Sequence, residues 1–300
     1  MSKSVSRPWI LGGDGNSLKG KILLERENYF IFKSQAGLVA LTRCGPWTKR
    51  DTALAWEYGV NSVSLDTLEF GKRKTAEWLL DLPPLRRLSL SLWQPVDLAA
   101  LGRLSELREL RLDFSIWRVG DEFQHVDLSG LPRLEFADVM MCRACESILH
   151  CETIRELVVR NECDGKLRDL DLKRLHLLSS LSLDHCPRLR RVSLHPKAKI
   201  RGLKLSLCGS YQIDWKRVGP DLQYLFLGGR LTFPLKRILE APQLKELHTS
   251  EIRKLPPLGF LRKLRHLKAV CIFSAPPGPK LSKADEALIR RINARAGTGP

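Results

Sequence analysis

One spacing recurs along this chain and restricts it to a repeat architecture: an apolar residue, two variable positions, a second apolar residue, one variable position and a third apolar residue. Its clearest copies are Leu85, Leu88 and Leu90, then Leu107, Leu110 and Leu112, then Leu222, Leu225 and Leu227. Read in register, copies begin at Val60, Leu85, Leu107, Leu134, Ile154, Leu178, Ile200, Leu222, Leu244 and Leu264. Every interval from Leu178 to Leu244 is 22 residues, and the full set ranges from 20 to 27. The latter part of each copy suits a short strand whose second and third apolar residues point inward while the residues between them point outward. A single unit of this kind has nothing against which to bury its apolar side. Stacking in parallel solves that, so the predicted fold is an α/β solenoid of about ten repeats with a curved parallel sheet and a helical or irregular convex side.

Over roughly residues 55–272 the pattern resembles the leucine-rich-repeat family, in its intracellular form. The resemblance implies that Cys142, Cys186 and Cys208, each eight positions after a repeat start, bond backbone groups in the turns. It also implies recognition of a macromolecule on the concave sheet. Two departures stand out. The Leu107 repeat is stretched by residues 115–130, which predicts a looped insertion, and its successor carries Ala137 where a core leucine is expected. The segment CPRLRRVSL offers a further copy starting at Leu189, half a period out of step, and is expected to line the return side of its repeat.

Solenoid ends need covering, because a terminal repeat exposes its leucine ladder and an unpaired strand edge. Residues 1–54 read as a β-rich N-terminal cap, with GKILLE, NYFIFK and GLVALT as a three-strand meander and TKRDTALAWEYG as a short helix. The solenoid then occupies 55–272, and 273–300 is a Pro-rich linker followed by a basic C-terminal helix or tail. Ser282 suits the N-cap of that helix, Asp285 and Glu286 its first turn, and Leu281, Ala284, Leu288 and Ile292 its packing face.

The net charge of +17 directs attention to anionic partners, but it is unevenly placed. Residues 1–50 and 251–300 hold most of the excess, whereas 51–250 carry 30 basic and 27 acidic residues. The eight cysteines follow no disulfide-framework spacing, and the first twenty residues lack the apolar run of an export signal. A soluble cytoplasmic protein with reduced thiols and no transmembrane segment is the expectation.

Chemical motifs are sparse. Gly15–Ile22 approximates a phosphate-binding loop, yet Ile22 lacks the hydroxyl that would ligate magnesium, and the segment continues as a hairpin rather than a helix. Cys142, Cys145, His150, Cys151 and Cys163 contain one C-x-x-C, but no second pair follows and Cys142 already holds a turn position, so packing is preferred over zinc. Nothing ties a histidine or carboxylate to a nucleophile. No catalytic, cofactor or metal residue is assigned, and no small-molecule substrate is inferred.

The candidate sites are surfaces. Positions two, four and six after each start face the concave side, giving the basic residues Arg87, Arg111, Arg160, Lys204 and Lys268 and the acidic residues Asp66, Glu109, Asp113, Asp138, Glu156, Asp184 and Glu246. Phe136, Met140, Tyr224, Phe226, His248 and His266 stand among them, a mixture that resembles a protein-binding hot spot. Cover by the insertion or by a terminal segment is the competing role for these large side chains. One position after the start, Arg86, Arg108, Arg155, Arg201, Lys245 and Arg265 form a basic rim. The expected function is a non-catalytic scaffold, adaptor or inhibitor that holds a protein on the concave face. The alternatives are nucleic acid, another polyanion or an anionic membrane surface bound through the rim and termini, and, last, an enzyme whose site leaves no motif.

Overall fold

The computed structural model describes residues 20–26, 29–35, 37–44, 47–67, 75–92, 96–114, 126–140, 143–160, 167–206, 208, 212–229, 235–251, 256–273 and 281–295. Three antiparallel strands open it: β1 (Gly20–Arg26), β2 (Tyr29–Ser34) and β3 (Val39–Cys44). Helix α1 (Lys49–Glu57) follows. Its start is fixed by a reciprocal cap in which the Asp51 amide donates to Thr48 Oγ1 at 3.4 Å and the Thr48 amide donates to Asp51 Oδ2 at 2.7 Å. Asp51 is buried and is also paired with Arg43 at 3.1 Å, so its charge is fully partnered.

From here the leucine pattern sets the architecture. The inner strands are β4 (Ser62–Thr67), β5 (Arg87–Leu92), β6 (Glu109–Phe114), β7 (Phe136–Met140) and β8 (Glu156–Arg160). Past β9 (Asp169–Leu172), which lies elsewhere, come β10 (Ser180–Asp184), then β11 (Arg191–Leu194), β12 (Gly202–Ser206) and β13 (Gln212–Ile213). Helix α2 (Trp215–Val218), β14 (Tyr224–Gly228), β15 (Glu246–Ser250), β16 (Ala269–Phe273) and helix α3 (Lys283–Arg295) complete the order. Thirteen of these strands form one sheet, β1 to β8 in sequence and then β10, β12, β14, β15 and β16, parallel from β3 onward. The meander therefore continues directly into the solenoid sheet through the pairing of β3 with β4.

Ladder register matches the repeat arithmetic through nine copies. Leu88, Leu110, Ala137, Leu157, Leu181, Leu203, Leu225 and Leu247 lie opposite one another in neighbouring strands, all buried. The last copy differs. Leu247 pairs with Val270, which places the final start at Leu267, three residues later than the Leu264 expected from sequence. Leu267, Val270 and Ile272 supply the apolar triplet of that repeat.

The outer side is lined by 3₁₀ turns at Glu77–Asp81, Ala99–Arg103, Arg143–His150, Leu235–Glu240 and Leu258–Lys263. Between them, β9, β11 and β13 form a separate three-stranded parallel sheet. The segment starting at Leu189 thus does line the return side, as β11, and Leu167 starts another copy there that completes the pattern with Leu170 and Leu172 on β9. Copies recur every 11 residues at Leu167, Leu178, Leu189 and Ile200, so inner and outer strands alternate over this stretch.

At the C-terminal edge α3 packs on β16 and the Leu258–Lys263 turn, burying Leu288 and Ile292. Ser282 caps it, accepting from the Asp285 amide at 3.1 Å. Ala284 is exposed rather than on the packing face, and Asp285 takes part instead by accepting the Leu258 amide at 2.9 Å. Asn293 lies against the outermost strand, where its Oδ1 accepts from Val270 N at 2.8 Å and its Nδ2 donates to Val270 O at 3.1 Å.

Candidate binding face on the concave sheet

Alternation along each inner strand sends one residue set into the core and the other onto the concave surface, where pairing in register aligns them in rows. Toward the N-terminal half the surface is polar and internally paired. Arg87 meets Glu109 through two contacts of 2.6 Å, and Arg111 stands over the Phe136 ring at 5.2 Å. Arg160 reaches two strands back: it contacts Asp138 at 2.7 Å and Asp113 at 3.4 Å. Each guanidinium is thereby held by neighbours from other repeats, which fixes its position on the sheet.

Apart from the exposed Lys204 and the half-buried Asp184 at the end of β10, strands β10 and β12 bring small residues to the next part of the surface, Ser180, Ser182, Gly202 and Ser206. Beyond this low floor lies an aromatic patch. Tyr224 and His248 are 5.2 Å apart between ring centroids, and His248 stacks toward Phe273 at 6.5 Å. The Phe226 ring folds along its own strand over Gly228, where a Cβ would sit 2.9 Å from Cε1, and Lys204 Nζ stands 5.3 Å above that ring. Phe273 is the most open of these residues, at 58% exposure. Burial and the adjacent Glu246 charge raise the Tyr224 pKa, so the phenol stays protonated and remains a hydrogen-bond donor.

The structure places most sequence-predicted face residues where the register put them, with three corrections at two points. Met140 sits at the end of β7 but turns into the core and is 4% exposed. His266 lies in the exposed turn before β16, because the last repeat starts three residues later than expected. For the same reason Arg265 leaves the rim and Lys268 moves from the concave face onto it: the Lys268 amide donates to Lys245 O at 2.7 Å, the bond made by Lys245 to Gln223 O at 2.8 Å one repeat earlier. Phe273 was missed through the same slip, although Leu267, Val270 and Ile272 fit the motif better than Leu264, Leu267 and Ala269. The rim itself is real as a row, with Arg86, Arg108, Arg155, Arg201 and Lys245 all exposed, but it is interrupted by Glu135, which pairs with Arg108 at 3.5 Å.

Two cysteines occupy turn positions as expected. Cys186 donates to Asp184 O at 3.2 Å, and Cys208 donates to Ser206 O at 3.2 Å and to Leu183 O of the preceding repeat at 3.4 Å. The hydrogen bond between these thiols and their burial push the Cys186 pKa up. Cys151 is raised to about 12 by burial and by the charge of Asp127, and it donates to Leu128 O at 2.8 Å. Cys142 and Cys163, with residues 115–125 of the insertion expected at 115–130 and most of the Gly15–Ile22 segment, lie outside the described residues. Among the described residues no group of three or more His, Cys, Asp or Glu is placed to hold a metal, and no helix is long and apolar enough to cross a membrane.

No protein-family model matches the sequence, and no curated protein matches it. Among solved structures, the chain is similar to a leucine-rich-repeat protein of Leptospira interrogans, at 16% identity over 84% of this chain and 75% of that one, with a TM-score of 0.36. It is the chain's own strand register, repeat after repeat, that makes the fold a leucine-rich-repeat solenoid.

Proposed function

We propose that this chain is a non-catalytic scaffold, adaptor or inhibitor that holds one protein partner against the concave sheet. The observation that supports this reading is the aromatic patch of Tyr224, Phe226, His248 and Phe273, bordered by Lys204 and Glu246 and adjoining a floor of small residues. Protein interfaces concentrate their binding energy in a few aromatic and Arg anchors, with a polar surround that excludes water. Here rigid strands carry the anchors, so little conformational freedom is lost when they are covered. The ion-paired half, Arg87 with Glu109 and Arg160 with Asp138, contributes charge complementarity and orientation more than affinity. We place the chain in the cytoplasm, where the thiols of Cys186 and Cys208 stay reduced.

The test is capture on immobilised full-length protein, compared with a Tyr224→Ala, Phe226→Ala, Phe273→Ala variant. Loss of two or more anchors of about 1 to 2 kcal/mol each lowers affinity by at least about tenfold. A partner retained by the wild-type chain is therefore expected to be lost from the variant. If every captured protein stays bound to the variant, the concave face is not the binding surface.

A further inference from the structure

The near balance of charge over residues 51–250 conceals a separation that appears once the strands are placed. Among the outer-segment residues whose side chains the structure describes in the N-terminal repeats (75–84, 96–106, 126–133 and 145–153) there are seven carboxylates and two basic residues. In those of the C-terminal repeats up to residue 250 (167–176, 186–199, 214–221 and 235–243) there are twelve Lys and Arg, all exposed, against five carboxylates, and 256–266 adds Arg262, Lys263 and Arg265 with no acid. Residues 186–199 alone hold five basic residues and no acid.

At the centre of this side the three-stranded sheet and α2 enclose a trough of about 640 Å³ lined by Lys173, Arg191, Lys216, Arg217 and Arg237, with Asp214 and Glu240. The two carboxylates hold guanidiniums without neutralising the trough. Asp214 contacts Arg217 at 3.3 Å while Arg217 Nη1 donates to Leu194 O at 3.3 Å, and Glu240 contacts Arg237 at 3.9 Å. Lys173 contacts Asp171 at 3.7 Å, whereas Arg191 and Lys216 form no ion pair among the described residues. Because β11, α2 and the turns at Leu235–Glu240 and Leu258–Lys263 belong to successive repeats, the basic residues continue from the trough as a ramp toward Arg262 and Lys263.

We propose that this outer trough binds the phosphate backbone of a nucleic acid, at a site separate from the concave face. Three steps between stacked repeats cover about 14 Å at a strand spacing of about 4.8 Å. That length matches about four phosphates along one strand at about 3.4 Å each. Trp215 lines the trough but is 3% exposed, so no ring is offered for base stacking, and recognition is by charge and without sequence preference. A lipid bilayer is too flat to reach into the recess, and an acidic protein would find no exposed aromatic or aliphatic anchor among the residues lining the trough, where Val192, Leu194, Ile213 and Trp215 are buried.

Fluorescence anisotropy with labelled single-stranded RNA, duplex RNA and duplex DNA of about 20 nucleotides tests the assignment, the three probes distinguishing which polymer is preferred. The expected result is binding by the wild-type chain with a log–log salt slope near about −3 to −4, the value for four phosphate contacts. The Lys173→Gln, Arg191→Gln, Lys216→Gln variant alters only exposed side chains and is expected to flatten the slope by about 3 and weaken binding at least tenfold. The Tyr224→Ala, Phe226→Ala, Phe273→Ala variant is expected to bind nucleic acid as the wild type does, which separates failure of this site from failure of the concave face. Photo-cross-linking of the wild-type complex, expected within 186–217, gives a readout independent of any variant's folding. The proposal is overturned by absence of binding, by an unchanged slope in the Gln variant, by cross-links confined to 281–300, or by equal affinity for polyglutamate or anionic vesicles.

Discussion

Asn293 stands where a further strand would pair with β16, the last strand of the sheet among the described residues. Ala269 donates its amide to the carbonyl of Lys245, the residue before β15, so in alternation the N–H and C=O of Val270 point away from the sheet, toward the open edge. Both are taken by the Asn293 amide, at 2.8 and 3.1 Å. Asn293→Leu keeps the volume and removes both bonds. Each bond contributes about 1 kcal/mol net, and an unsatisfied backbone group beneath a packed helix costs about 1 to 3 kcal/mol. With the site only partly buried, the expected loss is about 2 to 4 kcal/mol in urea unfolding followed by circular dichroism, with faster hydrogen exchange at the Val270 amide. Asn293→Asp is the sharper perturbation, because a carboxylate can accept from Val270 N but sets a second anionic oxygen against Val270 O. Protonation restores the donor, so the folded chain holds that acid above the ordinary value of about 3.9; the stabilisation is present below that pH and lost as pH rises. Stability of the Asp variant relative to wild type is thus expected to improve on acidification. If both variants unfold within about 0.5 kcal/mol of wild type and Val270 exchange is unchanged, the edge is not held in this way.

Two further outcomes follow from the outer side. A Cβ at Gly219 would stand 2.3 Å from Glu240 O in the next repeat's turn, so Gly219→Ala is expected to lose about 1 to 3 kcal/mol in urea unfolding, despite the gain of about 0.4 to 1 kcal/mol that Gly→Ala brings at unstrained sites; an unchanged or higher midpoint would contradict the close approach. Cys151 is held protonated up to about 12 in the folded chain against an ordinary value of 9.0, so ionisation favours the unfolded chain: its contribution is whole below about pH 9 and declines toward 12. Cys151→Ala is expected to unfold with a shallower alkaline decline than wild type, and the wild-type Cys151 to resist alkylation at neutral pH until the chain is denatured.

The regular part of the fold was legible because leucine spacing and strand register are the same constraint: Leu181, Leu203, Leu225 and Leu247 can share one core only if their strands pair as they do. Where two copies overlap, the spacing alone does not choose. Residues 264–272 satisfy the pattern from Leu264 and again from Leu267, and the copy starting at Leu264 takes the weaker triplet, with Ala269 in its third place. That three-residue slip moved Lys268, His266 and Arg265 to the wrong surfaces and hid Phe273. Met140 failed for another reason: it is the last residue of β7, where the strand ends and alternation no longer dictates which way a side chain turns. The copies at Leu167 and Leu189 show that one motif serves both sides of the solenoid, and only the pairing of β9 with β11 tells an outer strand from an inner one.

That ambiguity bears directly on charge. A solenoid buries a single leucine ladder but exposes two long surfaces, and sequence neighbours a few residues apart go to opposite ones. Asp184 faces the concave side while Arg190 and Arg191, within one short turn of it, face the outer side. Summed along the sequence such residues cancel; distributed over the two surfaces they do not, and the field a partner meets is that of one surface. The balanced middle of the chain therefore presents a paired, mixed-sign concave sheet with aromatic anchors at its C-terminal end and, behind it, an outer wall that changes from acidic to basic along the stack. A protein partner and a polyanion could then be held at once, on opposite sides of the same repeats, without either crossing the other.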